Sequence, residues 1–262
     1  MSELNNLDKF LAKIGAGGVC LGCGIWFRDP TVSEVVAEAG FDFTWIDMEH
    51  GPLSIESALG HVMAVRGTDT APFVRVPWND PVMLKPVLEL APAAVIVPMI
   101  CSAQEAARAV SACKYPPAGT RGFGPVRGMR YGATDLNEYL RRADRQALIM
   151  LQIEHVDALS CAQAIIDTPG VDGICVGPYD LSASMGRLGR IDDSELCGQI
   201  ERVLGSARAA GKLAGIACGS DPAAIARWRA AGAQWLAIGA DVSSLFAHSQ
   251  QLLAAVRPLL NC

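Results

Sequence analysis

The stretch FTWIDMEHGP, residues 43–52, is an apolar run that ends in two carboxylates and a histidine. On a strand, successive side chains point to opposite faces. Phe43, Trp45, Asp47 and Glu49 therefore share one face, and Thr44, Ile46 and Met48 share the other. A desolvated carboxylate is costly unless it is paired. The end of this strand must therefore face something that answers two negative charges, and His50 opens the loop that follows.

Seven similar runs flank it: VCLGCGIWF (19–27), PFVRV (72–76), AVIVPM (94–99), ALIMLQIE (147–154), DGICVG (172–177), LAGIACG (213–219) and QWLAIGA (234–240). Helical patterns lie between most of them. TVSEVVAEAG opens with a Thr/Ser cap and closes on Gly40, SIESALGHVMAVRG closes on Gly67, SAQEAARAVSAC opens on Ser102, and DPAAIARWRAAG closes on Gly232. Eight strands alternating with helices in this length predict an α/β chain folded as a (β/α)8 TIM barrel, one domain over residues 1–262. A doubly wound open sheet is the competing arrangement. Against it, GAGGVCLGCG does not spell the dinucleotide fingerprint, and no suitable helix follows it directly. The longest irregular stretch, 114–132, has the length of a functional or disordered loop.

Composition narrows the function. With 51% hydrophobic and 19% charged residues the chain can build a large core, and a net charge of -5 without a basic stripe argues against nucleic acid. No apolar run is long enough to span a membrane, and the N-terminus lacks the order of a signal peptide. Nine scattered cysteines suit a reduced, cytoplasmic protein. Cys20 and Cys23 have C-x-x-C spacing but no second pair, and an odd step along a strand points them to opposite faces.

In a barrel, inward residues at the C-terminal strand ends face the active site. The parity of the second strand recurs in others. Phe73 and Arg75 share a face. Leu148, Met150, Gln152 and Glu154 alternate with Ile149, Leu151 and Ile153. Gly173, Cys175 and Gly177 are small and leave space, and GPYDLS then brings Asp180 to a helix start. Asp47, Glu49, Arg75, Gln152, Glu154 and Asp180 thus converge on one rim. Each has a plainer reading: Asp47 as a buried bridge to Arg75, Asp180 as a helix cap, Glu154 as a solvated strand end, His50 as a satisfied loop histidine.

Taken together, Glu154 and Asp180 supply hard oxygen ligands for Mg²⁺ or Mn²⁺. His50 is the proton-transfer group, while His61, His155 and His248 are packing or surface residues. Arg75 holds an oxyanion, and backbone N–H groups at the helix start Gly177-Pro178-Tyr179-Asp180, where Pro178 itself has none, hold a carboxylate. This set suits enolate chemistry on a 2-oxo acid. An imine-forming aldolase is disfavoured because none of Lys9, Lys13, Lys85, Lys114 and Lys212 ends a strand. Two other readings stay open: a lyase or hydrolase acting on a phosphorylated or CoA-linked acid, bound near ACGSD and IGAD, and a non-catalytic binding barrel.

FDFTWIDMEHGP, VRVPWNDP, YPPAGTRGFG, LQIE and VDGICVGPYDLSASMG resemble the HpcH/HpaI aldolase family of class II, metal-dependent pyruvate aldolases. The resemblance implies cleavage of a 4-hydroxy-2-oxo acid to pyruvate and an aldehyde, with oxaloacetate decarboxylation as a side activity. It implies a divalent metal (Mg, Mn or Co) on Glu154 and Asp180, His50 as base, Arg75 as transition-state stabiliser, and pyruvate contacts from Gln152 and the Tyr179 backbone. It also implies a homohexamer, a trimer of dimers that exchange their last helix. Glu89 occupies the position whose acid raises the basicity of the histidine. The family usually has Asp there, and a small residue where this chain has Tyr179. Arg121, Arg127 and Arg130 are candidates for a distal carboxylate or a neighbouring subunit.

Overall fold

A computed structural model describes residues 4–260. Eight parallel strands close in sequence order: β1 (Cys20–Ile25), β2 (Phe43–Asp47), β3 (Ala71–Arg75), β4 (Ala94–Val97), β5 (Leu148–Ile153), β6 (Gly173–Val176), β7 (Leu213–Cys218) and β8 (Trp235–Ala240). The pairing of β8 with β1 shuts the barrel and rules out an open sheet. Among the described residues, no helix is long and apolar enough to cross a membrane.

The period-two pattern sorts the core into two layers. Phe43, Trp45, Phe73, Ile96, Met150, Cys175 and Trp235 fill the lumen, while Ile46, Val74, Val95, Leu151, Ile174 and Leu236 pack under the helices. Phe43 stacks on Phe73 with centroids 4.9 Å apart, and Trp235 meets both edge-on at 5.8 Å. Rings of this size fit because glycines face them. A Cβ on Gly22 would strike the Phe43 ring, and one on Gly215 the Trp235 indole. The expectation that Gly173 leaves space at the site is corrected here: the Met150 sulfur fills that space. Cys20 lies in the lumen and Cys23 in the outer layer, as parity requires, and burial pushes both thiols up to about 12.

A helix that the sequence reading did not include, Leu7–Gly15, plugs the N-terminal end of the barrel. Its Leu7, Phe10 and Ile14, at one-face spacing, join the lumen cluster. Phe10 sits 4.9 Å from Phe73. The Asn6 amide donates to the carbonyls of Val65 and Thr70, and that of Asn5 to Pro92 and Gln146, tying the plug to the loops that enter β3, β4 and β5. With this end sealed, chemistry is left to the other.

The helix ends follow their capping residues. Ser54, Ser102 and Asp221 accept first-turn N–H groups, and Gly40, Gly67 and Gly232 take positive φ just past their helices. One cap differs from expectation. The Thr31 side chain caps nothing; Asp29 accepts the Thr31 N–H at 3.0 Å. The 114–132 stretch is packed down. Arg121 lies 4.5 Å over the Tyr115 ring and pairs with Glu89, while buried Arg127 donates to the Leu90 carbonyl. These two arginines are neither solvated nor available to a distal substrate carboxylate, which corrects that expectation for both. Arg130 is half-buried.

Candidate active site

Strand register builds the first half of the site. Asp47 and Arg75 are direct partners across β2 and β3. Arg75 gives Nε to Asp47 Oδ1 at 3.0 Å and Nη2 to Oδ2 at 2.6 Å, and its Nη1 lies 2.9 Å from Glu49 Oε2. Trp45 lies 5.2 Å from the guanidinium. Burial opposes the charge on Arg75, but the hydrogen bond and charge of Asp47, then Glu49 and Glu154, hold its pKa above the ordinary value. The plain reading of Asp47 as a buried bridge is therefore observed, and the bridge does more than pack. Asp47 Oδ1 also accepts the N–H groups of Glu49 (3.0 Å) and His50 (3.2 Å), so one carboxylate orients both the arginine and the histidine loop. Gly51 is required at that turn, because a Cβ would run into the Asp47 carbonyl.

His50 is exposed, with Nε2 3.9 Å from Glu49 Oε2. Glu89 does not join it within the chain. A nine-residue helix, Pro81–Glu89, follows β3 and carries Glu89 about 13 Å back along the barrel, where it pairs with Arg121 at 3.0 Å. Among the described residues no contact links Glu89 to His50, so the expected pairing is not formed inside one subunit.

The second half centres on Glu154, which is 2% exposed at the end of β5. Met99 N donates to its Oε1 at 2.8 Å and Gln152 Nε2 to its Oε2. Gly177 leaves room for this pair, since a Cβ there would meet both side chains. Burial pushes the Glu154 carboxyl up to about 8, with Glu49 and Asp180 adding to the rise and the Met99 N–H and Arg75 opposing it. Burial also raises Glu49, against the pull of Arg75. The solvated-strand-end reading of Glu154 is thus excluded. Asp180 is not a cap either: the helix runs Pro178–Ser184 with Gly177 at its N-cap, and Asp180 lies exposed in the first turn. Its charge is felt at Glu49 and Glu154, so these three carboxylates and Asp47 share one mouth with the Arg75 guanidinium.

This donor set fits a divalent cation. Glu154 is desolvated beside other carboxylates, and Gln152 Oε1 is buried with no hydrogen-bond partner among the described residues. Among those residues, no three His, Cys, Asp or Glu side chains form a closed cage. Two carboxylates that leave other positions open suit Mg²⁺ or Mn²⁺.

The remaining histidines play structural or surface roles. His61 is buried between Ser33 Oγ (2.8 Å) and the Phe27 carbonyl (3.0 Å), His155 caps the helix Val156–Ser160, and His248 is exposed. The two stretches considered for phosphate hold committed acids instead. Asp221 caps its helix, and Asp241 accepts the N–H groups of Trp26 and Phe27 at 2.9–3.1 Å, bracing the loop after β1. The sequence reading missed Met99, Gly51 and Asp241 as builders of the mouth. The glycine after the histidine was the one visible cue.

A parallel barrel with clustered carboxylates, a braced arginine and an exposed histidine at its C-terminal mouth has the build of a small-molecule enzyme, and its sequence relatives place it among the carbon–carbon lyases. Residues 25–248 match the HpcH/HpaI aldolase/citrate lyase family, and the chain belongs to that family. It is 36% identical over 250 residues to a hydroxypyruvate/pyruvate aldolase of Roseovarius nubinhibens, covering 95% of this chain and 97% of that one. It is also 36% identical to a 4-hydroxy-2-oxo-heptane-1,7-dioate aldolase of Escherichia coli, over 95% and 94% of the two chains. A solved HpcH/HpaI aldolase/citrate lyase family protein from Burkholderia cenocepacia J2315 superposes with a TM-score of 0.84 at 33% identity, over 92% and 95%.

Proposed function

We propose that this enzyme cleaves a 4-hydroxy-2-oxo acid reversibly to pyruvate and an aldehyde, and decarboxylates oxaloacetate through the same enolate. The observation that carries the reading is Glu154, a buried carboxylate at the end of β5 oriented by the Met99 N–H and the Gln152 amide and lying in the field of Arg75, Glu49 and Asp180. A divalent cation held by Glu154 and Asp180 would polarise the 2-oxo group as a Lewis acid. First-turn N–H groups of Tyr179 and Asp180 would take the substrate carboxylate. Gln152 Oε1, buried without a hydrogen-bond partner among the described residues, would accept from a water beside the pyruvate end, since that end of the substrate offers only acceptors. His50 takes the proton of the 4-hydroxyl as the C3–C4 bond breaks to release the aldehyde and the enolate, and a proton from solvent then adds at C3 to complete pyruvate. Arg75, already held by two carboxylates, stabilises the negative charge that moves onto the 2-oxo oxygen. Mg²⁺, Mn²⁺ and Co²⁺ all fit oxygen ligands of this kind. Dialysis against EDTA is expected to abolish pyruvate formation and readdition of Mg²⁺ or Mn²⁺ to restore it; full turnover in a metal-free sample refutes the reading.

The active form is read as a cytoplasmic homohexamer, a trimer of dimers. All eight described cysteines are free, which suits a reducing compartment. The C-terminal helix Asp241–Val256 buries only Asp241. It leaves Leu245, Phe246, Leu252, Leu253 and, just beyond it, Leu259 and Leu260 exposed at seven-residue spacing. Such a stripe is the surface of an exchanged helix lying on a partner. The double substitution Leu245→Glu with Phe246→Glu is expected to lower the mass measured by light scattering. An unchanged hexamer mass would remove that helix from the interface.

A further inference from the structure

We propose that Met99 is a positioning residue for the metal carboxylate: its backbone N–H, presented by a left-handed turn, locks the Glu154 side chain in the orientation that binds the cation. This rests on the reading of Glu154 as a metal ligand, and the experiment below separates the two.

β4 ends at Val97, and the chain must then leave the barrel wall for the helix Ala103–Cys113. Pro98 has no N–H, so Met99 carries the first donor past the strand. Met99 has φ 55, a region that residues with a side chain rarely enter. Such a conformation persists only where the surroundings over-determine it. Here they do. Ile100 N donates to the Gln152 carbonyl at 3.1 Å, and Cys101 N to Glu105 Oε2 at 2.7 Å. Glu105 is itself fixed, its N–H bonded to Ser102 Oγ and its carbonyl to the Asn79 amide. The Cys161 thiol closes the Cys101 carbonyl at 3.1 Å.

With residues 100 and 101 pinned, a change of φ at 99 swings the preceding peptide and takes its N–H off Glu154 Oε1, 2.8 Å away. Gln152 holds the other oxygen. The two donors together fix which way the carboxylate faces. Outer partners of this kind are worth about 10–100-fold in metal affinity.

The test is the dissociation constant of Mn²⁺ from the full-length, metal-stripped protein, read by electron paramagnetic resonance without substrate. Replacing the amide at residue 99 by an ester, with the 2-hydroxy analogue of methionine, deletes the donor and keeps the side chain. It is expected to weaken Mn²⁺ about 10–100-fold. Met99→Val should do the same, because a β-branched residue is excluded from positive φ. Met99→Gly keeps the N–H and takes φ 55 freely, so it should bind within about twofold of the parent. Should Met99→Val fail to fold, the ester variant decides. Glu154→Gln is the control and should lose Mn²⁺ binding outright. If Glu154→Gln binds normally, the metal reading falls. If it loses binding while the ester variant binds like the parent, the role of Met99 alone is overturned. A loss in Met99→Gly equal to that in Met99→Val also overturns it, since the side chain would then be what matters.

Discussion

Arg75→Ala is expected to lower kcat for aldol cleavage by about 10²–10³-fold and to destabilise the fold by about 3–5 kcal/mol. The two effects have separate causes. In the proposed mechanism, catalysis loses the guanidinium that shares with the divalent cation the negative charge on the 2-oxo oxygen. Stability falls because Asp47 and Glu49 currently share that guanidinium, through contacts of 2.6–3.0 Å, and Asp47 is buried. Removing one partner of a buried pair leaves the other desolvated and unanswered. Arg75→Lys separates the effects. A lysine keeps the charge but cannot fork onto Asp47 while reaching Glu49. It should recover much of the melting temperature and little of kcat. Thermal melts and steady-state pyruvate production check both variants. A parental kcat in Arg75→Lys would reduce Arg75 to a structural bridge.

The second large effect concerns His50. Its side chain is 52% exposed, so His50→Ala should fold as the parent does. Removing a positioned general base lowers rates by about 10²–10⁴-fold. That loss should appear in cleavage of a 4-hydroxy-2-oxo acid, where a hydroxyl proton must leave. Oxaloacetate decarboxylation reaches the same enolate by losing CO₂, with no hydroxyl to deprotonate, so it should fall far less. Measuring both reactions on one preparation makes the comparison internal. Equal losses would move His50 from the hydroxyl proton to a step common to both reactions.

Much of this site is legible in the chain itself. Alternation in 43–49 and 148–154 places Asp47, Glu49, Gln152 and Glu154 on the lumen side, and the structure puts Phe43, Trp45 and Met150 of those faces in the lumen cluster. The in-register pairing of Asp47 with Arg75 is a direct result of that parity on adjacent strands. Where the reading went astray, local pattern was not the deciding force. Arg121 and Arg127 look like loop charges, yet they are buried against Tyr115, Glu89 and the Leu90 carbonyl. Glu89 lies only 14 positions from Arg75, yet its helix runs back along the barrel and leaves it on Arg121.

The amino-acid order by itself determined the strand count, the α/β alternation and the identity of the polar rim, because a period of two and the helix caps are local properties written every few residues. Only the tertiary structure decided how those groups are held. Closing β8 onto β1, the plug of helix Leu7–Gly15 and the left-handed turn at Met99 all depend on contacts between segments distant along the chain. Backbone torsions and long-range pairing are set by the balance of all such contacts at once, and no single stretch carries them.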